Sequence, residues 1–380
     1  MKYNKFQDLE ISALGMGCMR FPVIDGKLDQ IDVPAVEEMF AYCMEKGINY
    51  YDTAWGYHDG QSEIVTGKVL SKYPRDSYYL ASKFPGYDIN NMDKVEEIFE
   101  EQLKKCGVEY FDFYMFHNVC EMNIDEYLDP EYKIYEYLME QKKNGRIKHL
   151  GFSTHASFDT FKEFLDAYGD SMEFCQIQLN WVDWDFQDAK AKVELLNEMN
   201  IPIFVMEPMR GGSLAKIEEE YEAKLKELRP DWTVPEWGFR YIQSIPGVAL
   251  TLSGMSDMQQ TKENIATFET HQPLSEAEMA TLYEVAKAKT SAKAVPCTAC
   301  NYCTSYCVKS LDIPKLIALY NEHVYSNGGF IAPMLIGQLP EDKRPSACGG
   351  CALCETVCPQ GINISEIMAD FSERLGKSET

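Results

Sequence analysis

The chain lacks any long apolar run, although 45% of its 380 residues are hydrophobic. No stretch reaches the roughly 18 apolar residues that a membrane-spanning helix needs, and the first residues lack the apolar segment of a secretion signal. The apolar content is nevertheless sufficient for a large buried core. We therefore expect a cytoplasmic protein that folds without membrane contact.

Basic residues are also scarce, since 36 Lys and Arg stand against 60 Asp and Glu, for a net charge of −24. A surface of this sign repels nucleic-acid phosphates and anionic lipid headgroups. We therefore expect no nucleic-acid partner and no attachment to a membrane surface.

Short apolar segments alternate with stretches of helical periodicity through the first 285 residues, which predicts alternating strands and helices. An open doubly wound sheet and a closed (β/α)₈ TIM barrel both show this alternation. The count of eight strands favours the barrel, and so does the lack of a G-x-G-x-x-G motif after the first strand, where the chain reads GMGCMR. The strand candidates are Ala13–Gly17, Asn49–Thr53, Tyr78–Lys83, Asp112–His117, His149–Ser153, Phe174–Asn180, Ile203–Met206 and Ala249–Ser253.

Chemically capable side chains stand at three consecutive strand ends, where a barrel of this kind carries its chemistry. Asp52, Lys83 and His117 occupy these ends, and Tyr57 lies on the loop after Asp52. This set suits carbonyl reduction, because a phenol can protonate the carbonyl oxygen if an ammonium stabilises the phenolate. A carboxylate would hold that ammonium, and an imidazole would orient the carbonyl.

The segments DTAWGY, ASK and FHN resemble the catalytic tetrad of the aldo/keto reductase superfamily, and the resemblance covers roughly residues 5–285. It implies a (β/α)₈ barrel, catalytic roles for Asp52, Tyr57, Lys83 and His117, and NADP or NAD lying across the barrel mouth. The residues that the resemblance places at this cofactor are Gly17, Cys18, Ser153, Gln176, Met206, Glu263 and Asn264.

The sequence departs from the family in the segment after the eighth strand. Ser256 and Gln260 stand where members carry the Arg or Lys that binds a 2′-phosphate, a group that needs charge-assisted partners. Three explanations stay open: the chain uses NADH, Lys262 or Arg210 substitutes, or the nicotinamide site has been lost.

Eight of the 13 cysteines fall into two blocks, each with the spacing C-x₂-C-x₂-C-x₃-C. This spacing is typical of bacterial ferredoxins with two 4Fe–4S clusters, in which the fourth Cys of each block ligates the other cluster. Zinc prefers two C-x₂-C pairs over a longer span, and disulfides are disfavoured in a cytoplasmic protein. The predicted ligands of one cluster are Cys297, Cys300, Cys303 and Cys358, and those of the other are Cys348, Cys351, Cys354 and Cys307.

These patterns predict a barrel over residues 1–285, a linker over 286–296 and a ferredoxin-like domain over 297–380. The preferred function is reduction of an aldehyde or ketone, or oxidation of the alcohol, with the clusters serving electron transfer or structure. In a second hypothesis a ferredoxin or flavoprotein delivers the electrons through the clusters. In a third the chain is a non-enzymatic electron carrier, which the intact tetrad disfavours.

Overall fold

A computed structural model of the chain describes residues 1–291, 294–297, 300–326, 328–358 and 360–377. It divides into two compact units, Met1–Leu282 and Tyr283–Thr380. Each unit has its own hydrophobic core, and each is described separately below.

The first unit is a closed barrel of eight parallel strands, as the alternation of strands and helices predicts. The strands are numbered in chain order, and the barrel consists of β3 to β10, with β10 next to β3. Their bounds are β1 Tyr3–Phe6, β2 Leu9–Ser12, β3 Leu14–Gly17, β4 Tyr50–Asp52, β5 Tyr79–Phe84, β6 Phe111–Val119, β7 Ile147–Thr154, β8 Cys175–Gln178, β9 Ile203–Met206 and β10 Val248–Ser253.

The helices of both units are numbered together in chain order, and those of the first unit connect the strands. Among the residues described, no helix is both long and apolar enough to cross a membrane. The bounds of the helices are α1 Val33–Glu45, α2 Ser62–Leu70, α3 Val95–Cys106, α4 Ile124–Leu128, α5 Ile134–Lys143, α6 Phe158–Tyr168, α7 Asp183–Phe186, α8 Ala189–Glu198, α9 Glu219–Leu228, α10 Val234–Gln243, α11 Met258–Phe268, α12 Glu276–Ser291, α13 Ile313–Tyr325, α14 Ile331–Gln338 and α15 Ile364–Lys377.

All eight predicted strands occur, with small differences at their ends. One is at β8, which ends at Gln178, although the apolar run predicts a strand to Asn180. Asn180 instead turns the chain, because its side-chain oxygen accepts hydrogen bonds from the Val182 and Asp183 amides at 3.1 and 2.9 Å. Helix α12 continues to Ser291, so the first residues of the segment that the composition predicts as a linker are helical.

An antiparallel hairpin of β1 and β2 precedes the barrel and was not predicted. Its Phe6 is buried, with ring centroids 5.3 Å from Phe113 and 5.6 Å from Phe204, both of which lie inside the barrel. The hairpin therefore closes the barrel at the end opposite the carboxyl termini of the strands. That closure leaves the other end as the open face, where polar strand ends meet.

The second unit packs α13, α14 and α15 around one apolar core that also contains the cysteine loops. Leu316, Ala332, Met368 and Phe371 are fully buried in this core. At the start of helix α13 the Asp312 side chain accepts a hydrogen bond from the Lys315 amide at 3.2 Å. The helices thus hold two short loops that carry the cysteines.

Glu173 links the hairpin to the barrel strands and offers a test of the fold. Its carboxylate accepts hydrogen bonds from Gln7 at 2.8 Å and from the Leu150 amide at 3.0 Å, and it pairs with Lys142 and His149. Burial alone would raise the pKa of Glu173, but these donors together lower it to about 2. Because the folded-state pKa lies below the unfolded value, the stabilisation is complete above about pH 4.5 and is lost as the pH falls from there towards 2.

We predict that Glu173→Gln lowers the free energy of unfolding at pH 7 by about 1–3 kcal/mol. Urea unfolding at pH 7 and at pH 3.5 measures this, and the deficit of the variant should shrink at the lower pH. Glu109→Gln, at an exposed glutamate, is the matched control and should change little. An equal loss at both pH values would contradict an electrostatic origin.

Candidate functional site

The parallel strands bring the predicted tetrad to one face of the barrel. Asp52 is the last residue of β4 and pairs in register with Ala81 on β5, two residues before Lys83. Lys83 in turn pairs with Met115 on β6, two residues before His117. Residues two apart in a strand point to the same side, so these three side chains converge at the carboxyl end of the barrel.

Lys83 is at the centre of this group and is fully buried. Its ammonium donates to Asp52 Oδ1 at 2.7 Å and to the Thr53 carbonyl at 2.8 Å. It also lies 3.3 Å from the Tyr57 hydroxyl. A buried ammonium needs such partners, because an uncompensated charge in the interior is costly.

The protonation states suit a proton-donating phenol. Burial lowers the pKa of Lys83, but the Asp52 carboxylate and Tyr57 outweigh it and raise this pKa above its ordinary value. Burial raises the pKa of Tyr57, and the nearby Lys83 ammonium opposes that increase. At neutral pH the Lys83 ammonium is therefore charged and the Tyr57 phenol carries its proton. If the phenol loses this proton, the adjacent ammonium can stabilise the phenolate.

The His117 imidazole contacts the Tyr57 phenol and a second tyrosine ring at the mouth of the barrel. The His117 ring meets the Tyr57 ring edge-on at 5.9 Å and the Tyr87 ring edge-on at 5.1 Å. Burial and the Lys83 charge lower the pKa of His117 well below its usual value, so this imidazole is neutral. Tyr87 was not predicted, although its place on the loop after Lys83 could have drawn attention to it.

A buried polar network, which the sequence did not predict, contacts the end of β5 and the loop that carries Tyr57. Glu63 is fully buried and accepts hydrogen bonds from Ser82 at 2.7 Å and from Gln102 at 2.6 Å. Gln102 also donates to the Lys83 carbonyl at 3.0 Å. Lys105 lies 3.5 Å from Glu63 and 3.6 Å from the centre of the Trp55 ring, two residues before Tyr57.

The residues expected at the nicotinamide lie beside the tetrad on the next strands. Ser153 pairs in register with Gln176, and its hydroxyl accepts a hydrogen bond from the Asn118 amide at 2.9 Å. Gln176 lies 3.7 Å from the Met206 sulfur, and its buried side-chain oxygen has no hydrogen-bond partner among the residues described. A serine hydroxyl and an unsatisfied amide oxygen fit the carboxamide of a nicotinamide.

The other residues expected at the cofactor lie around the first and last barrel strands. A side chain at Gly17 would come within 3.3 Å of the Gly254 amide, so glycine keeps these loops close together. Cys18, which follows Gly17, is fully buried and bonds through its amide to the Asp52 carbonyl. Asn264 on α11 donates to the Ser253 hydroxyl at 3.1 Å, whereas Glu263 faces Gln259 on the same helix.

The two basic residues that could replace the missing 2′-phosphate contact are both engaged. The Lys262 ammonium lies 5.8 Å from the centre of the Tyr42 ring. Arg210 is buried and pairs with Asp183 at 3.1 Å. Gln260 itself donates to the Asp257 carboxylate at 2.8 Å, so a carboxylate stands at the start of α11.

The predicted cluster ligands line two separate cavities in the second unit. Ile364 lines both cavities, and most of the remaining lining is apolar. The first cavity is lined by Cys297, Cys300, Cys303 and Cys358, and the second by Cys307, Cys348, Cys351 and Cys354. Four thiols around each cavity, one of them from the other block, fit two 4Fe–4S clusters in the crossed arrangement of ferredoxins.

The two cysteine blocks have nearly the same backbone. Cys303 and Cys354 have φ −65° with ψ −27° and −25°, and each precedes a 3₁₀ turn. Asn301 and Ala352, at equivalent positions, both have positive φ, 64° and 55°. The blocks are therefore a structural repeat within the second unit.

Comparison with known proteins agrees with this geometry. The sequence profile described as Aldo/keto reductase family matches residues 13–287, and the profile described as 4Fe-4S dicluster domain matches residues 296–363. The barrel resembles the solved holo form of an aldo-keto reductase from Bacillus halodurans, with a TM-score of 0.63 and 26% identity, over 76% of this chain and 97% of that one.

Two curated relatives are similar in sequence. The NADH-specific methylglyoxal reductase of Escherichia coli K12 is 25% identical over 328 residues, which cover 74% of this chain and 96% of that protein. A probable aldo-keto reductase 1 of Glycine max is 29% identical over 221 residues. That match covers 54% of this chain and spans 58% of the length of the soybean protein.

The buried pair of Lys83 and Asp52 should dominate the stability of the mouth. We predict that Asp52→Asn lowers the free energy of unfolding by about 3–5 kcal/mol at pH 7, because it leaves a buried ammonium without its carboxylate. Urea unfolding followed by tryptophan fluorescence measures this loss.

Asp166→Asn is the matched control, since its pair with Lys162 is exposed, with side chains 66% and 51% accessible. It should cost less than about 1 kcal/mol. The double variant Asp52→Asn/Lys83→Met should recover part of the loss. Equal losses in the free energy of unfolding for Asp52→Asn and Asp166→Asn would show that the buried pair contributes no more to stability than an exposed pair.

Proposed function

The chain belongs to the aldo/keto reductase family, and we propose that it uses a nicotinamide cofactor to reduce an aldehyde or ketone, or to oxidise the alcohol in reverse. The observation that carries this proposal is the contact of the Lys83 ammonium with both Asp52 and the Tyr57 hydroxyl. The NADH-dependent relative from Escherichia coli is consistent with it.

In the proposed mechanism the tetrad handles one proton. A nicotinamide, when bound, would supply a hydride for the carbonyl carbon. Tyr57 would donate its phenolic proton to the carbonyl oxygen. Lys83 stabilises the phenolate that results, and Asp52 keeps Lys83 charged and in place. Neutral His117 can donate an N–H to the same oxygen and orient the carbonyl.

Around the nicotinamide, we assign the carboxamide to Ser153 and Gln176. The unpaired Gln176 oxygen can accept from the carboxamide nitrogen, and the Ser153 hydroxyl can donate to its oxygen. Met206 would contact the ring, and Gly17, Cys18, Glu263 and Asn264 would lie along the rest of the cofactor. The eight cysteines of the second unit would ligate two 4Fe–4S clusters.

A second role, electron exchange with an external carrier, is supported by the exposure of Cys300 and Cys351. A cluster with an exposed ligand lies close enough to the surface for a partner to approach it. Two clusters can hold two electrons, the number that one carbonyl reduction needs. We propose a small redox protein, such as a ferredoxin or flavoprotein, as the partner.

Removal of the phenolic hydroxyl tests the proposed reaction. We predict that Tyr57→Phe lowers kcat for NADH-dependent reduction of methylglyoxal by on the order of 10²–10⁴, the range for general acid–base catalysis. The control is Tyr3→Phe, which removes a hairpin hydroxyl that donates to the Gly47 carbonyl after α1. This variant should keep its activity. An unimpaired Tyr57→Phe enzyme would exclude the phenol as proton donor.

We propose a preference for NADH over NADPH, because the Asp257 carboxylate at the start of α11 would repel a 2′-phosphate. We predict that Gln260→Arg raises NADPH affinity by about tenfold through a charge-assisted contact, with little change for NADH. Fluorescence titration of each nucleotide measures this. Gln259→Arg adds the same charge beside Glu263 and should have a smaller effect. If the unaltered protein binds NADPH more tightly than NADH, the assignment is wrong.

A further inference from the structure

Large apolar side chains are exposed on the first cysteine block. Tyr302, Tyr306 and Val308 have 61%, 53% and 68% of their surface accessible, within seven residues of chain. Val308 and Lys309 also line the cavity of the second cluster. Exposed aromatic and aliphatic groups beside a redox site are typical of a protein interface. We call residues 302–309 the block-1 face.

The second cysteine block provides an internal control for this face. Its backbone is nearly the same, so the same loop is built there without these side chains. The residues at the positions of Tyr302, Tyr306 and Lys309 are Leu353, Val357 and Gln360. The fold of the cluster loop therefore does not require the two tyrosines and the lysine. Their presence in the first block indicates a role other than forming the loop.

Charge separates this region from the rest of the protein. The second unit contains nine Lys and Arg against ten Asp and Glu, so nearly all of the net charge of −24 belongs to the barrel. Four lysines and no acidic residue lie between Glu284 and Asp312. Lys343 adds an ammonium next to this face: it donates to the Lys309 carbonyl at 3.0 Å and lies 3.9 Å from the Asp342 carboxylate. Lysines beside exposed aromatic side chains, on an otherwise acidic protein, complement an acidic partner.

We propose that the block-1 face docks a small acidic protein that carries one electron at a time. The carrier loses one electron and a 4Fe–4S cluster of this chain gains it, with no proton transferred and no bond broken. Lysines steer the encounter, and the tyrosines and Val308 supply the apolar contact, as in small transient interfaces. The inference rests on the proposed role of the clusters in electron exchange.

The repeat suggests the test variant, which gives the first block the side chains of the second: Tyr302→Leu/Tyr306→Val/Lys309→Gln. The probe is a small acidic [2Fe–2S] ferredoxin, reduced beforehand and mixed anaerobically with the holoprotein in a stopped-flow instrument. The second-order rate of cluster bleaching should fall about tenfold in the variant at low salt. With the unaltered protein, the rate should fall steeply as salt rises.

Lys315→Gln is the matched control, because Lys315 is an exposed lysine of α13 in the same unit. It should change the rate by less than about twofold. Iron and sulfide content should be the same in all three proteins, which shows that the triple variant still builds its clusters.

Reduction by dithionite separates the two possible failures. If dithionite does not reduce the clusters, electron exchange itself is wrong. If dithionite reduces them equally in all proteins but the triple variant accepts electrons from ferredoxin as fast as Lys315→Gln, the docking face is wrong. Faster exchange with basic cytochrome c than with ferredoxin, slowed by the triple variant, would overturn the acidic character of the partner. A concentration-dependent dimer abolished by the triple variant would assign the face to a second copy.

Discussion

The buried ammonium of Lys83 is the constraint around which the barrel mouth is organised. It contacts Asp52, the Thr53 carbonyl and the Tyr57 hydroxyl, so one charge holds a strand end and the loop that follows it. Because burial of a charge is costly without partners, these contacts stabilise the fold, and they are the same contacts that the proposed chemistry uses. The network of Glu63 and Gln102 supports the same residues from the other side.

The second unit follows a different principle, since its small apolar core includes the cysteine loops themselves. Cys303 and Cys354 are buried among the residues of α13 and α15, and Ile364 lines both cavities. The same positions thus contribute to the core and surround the proposed clusters. The Leu311 amide also lies 3.4 Å from the Cys307 sulfur, a contact of the kind that tunes cluster potentials.

The two units also differ in electrostatic character, and this difference supports the separate partners proposed for them. The barrel carries most of the negative charge, and at its mouth the buried Lys83 ammonium pairs with Asp52. The nearly neutral second unit presents lysines and tyrosines beside its cysteines. A protein with a net charge of −24 can approach another acidic protein only where its own charge is locally reversed.

The sequence alone determined the eight strands, the polar strand ends and the two cysteine blocks, because these depend on local periodicity and spacing. The ferredoxin-like spacing also predicted a crossed grouping, and Cys358 and Cys307 each line the cavity formed by the other block. It did not predict the hairpin, whose role depends on Phe6 reaching Phe113 and Phe204 far along the chain. Glu63, Gln102 and Tyr87 were likewise missed, since their partners are distant in sequence. Only the tertiary structure decided which polar residues are buried together, because burial and contact depend on how distant segments pack.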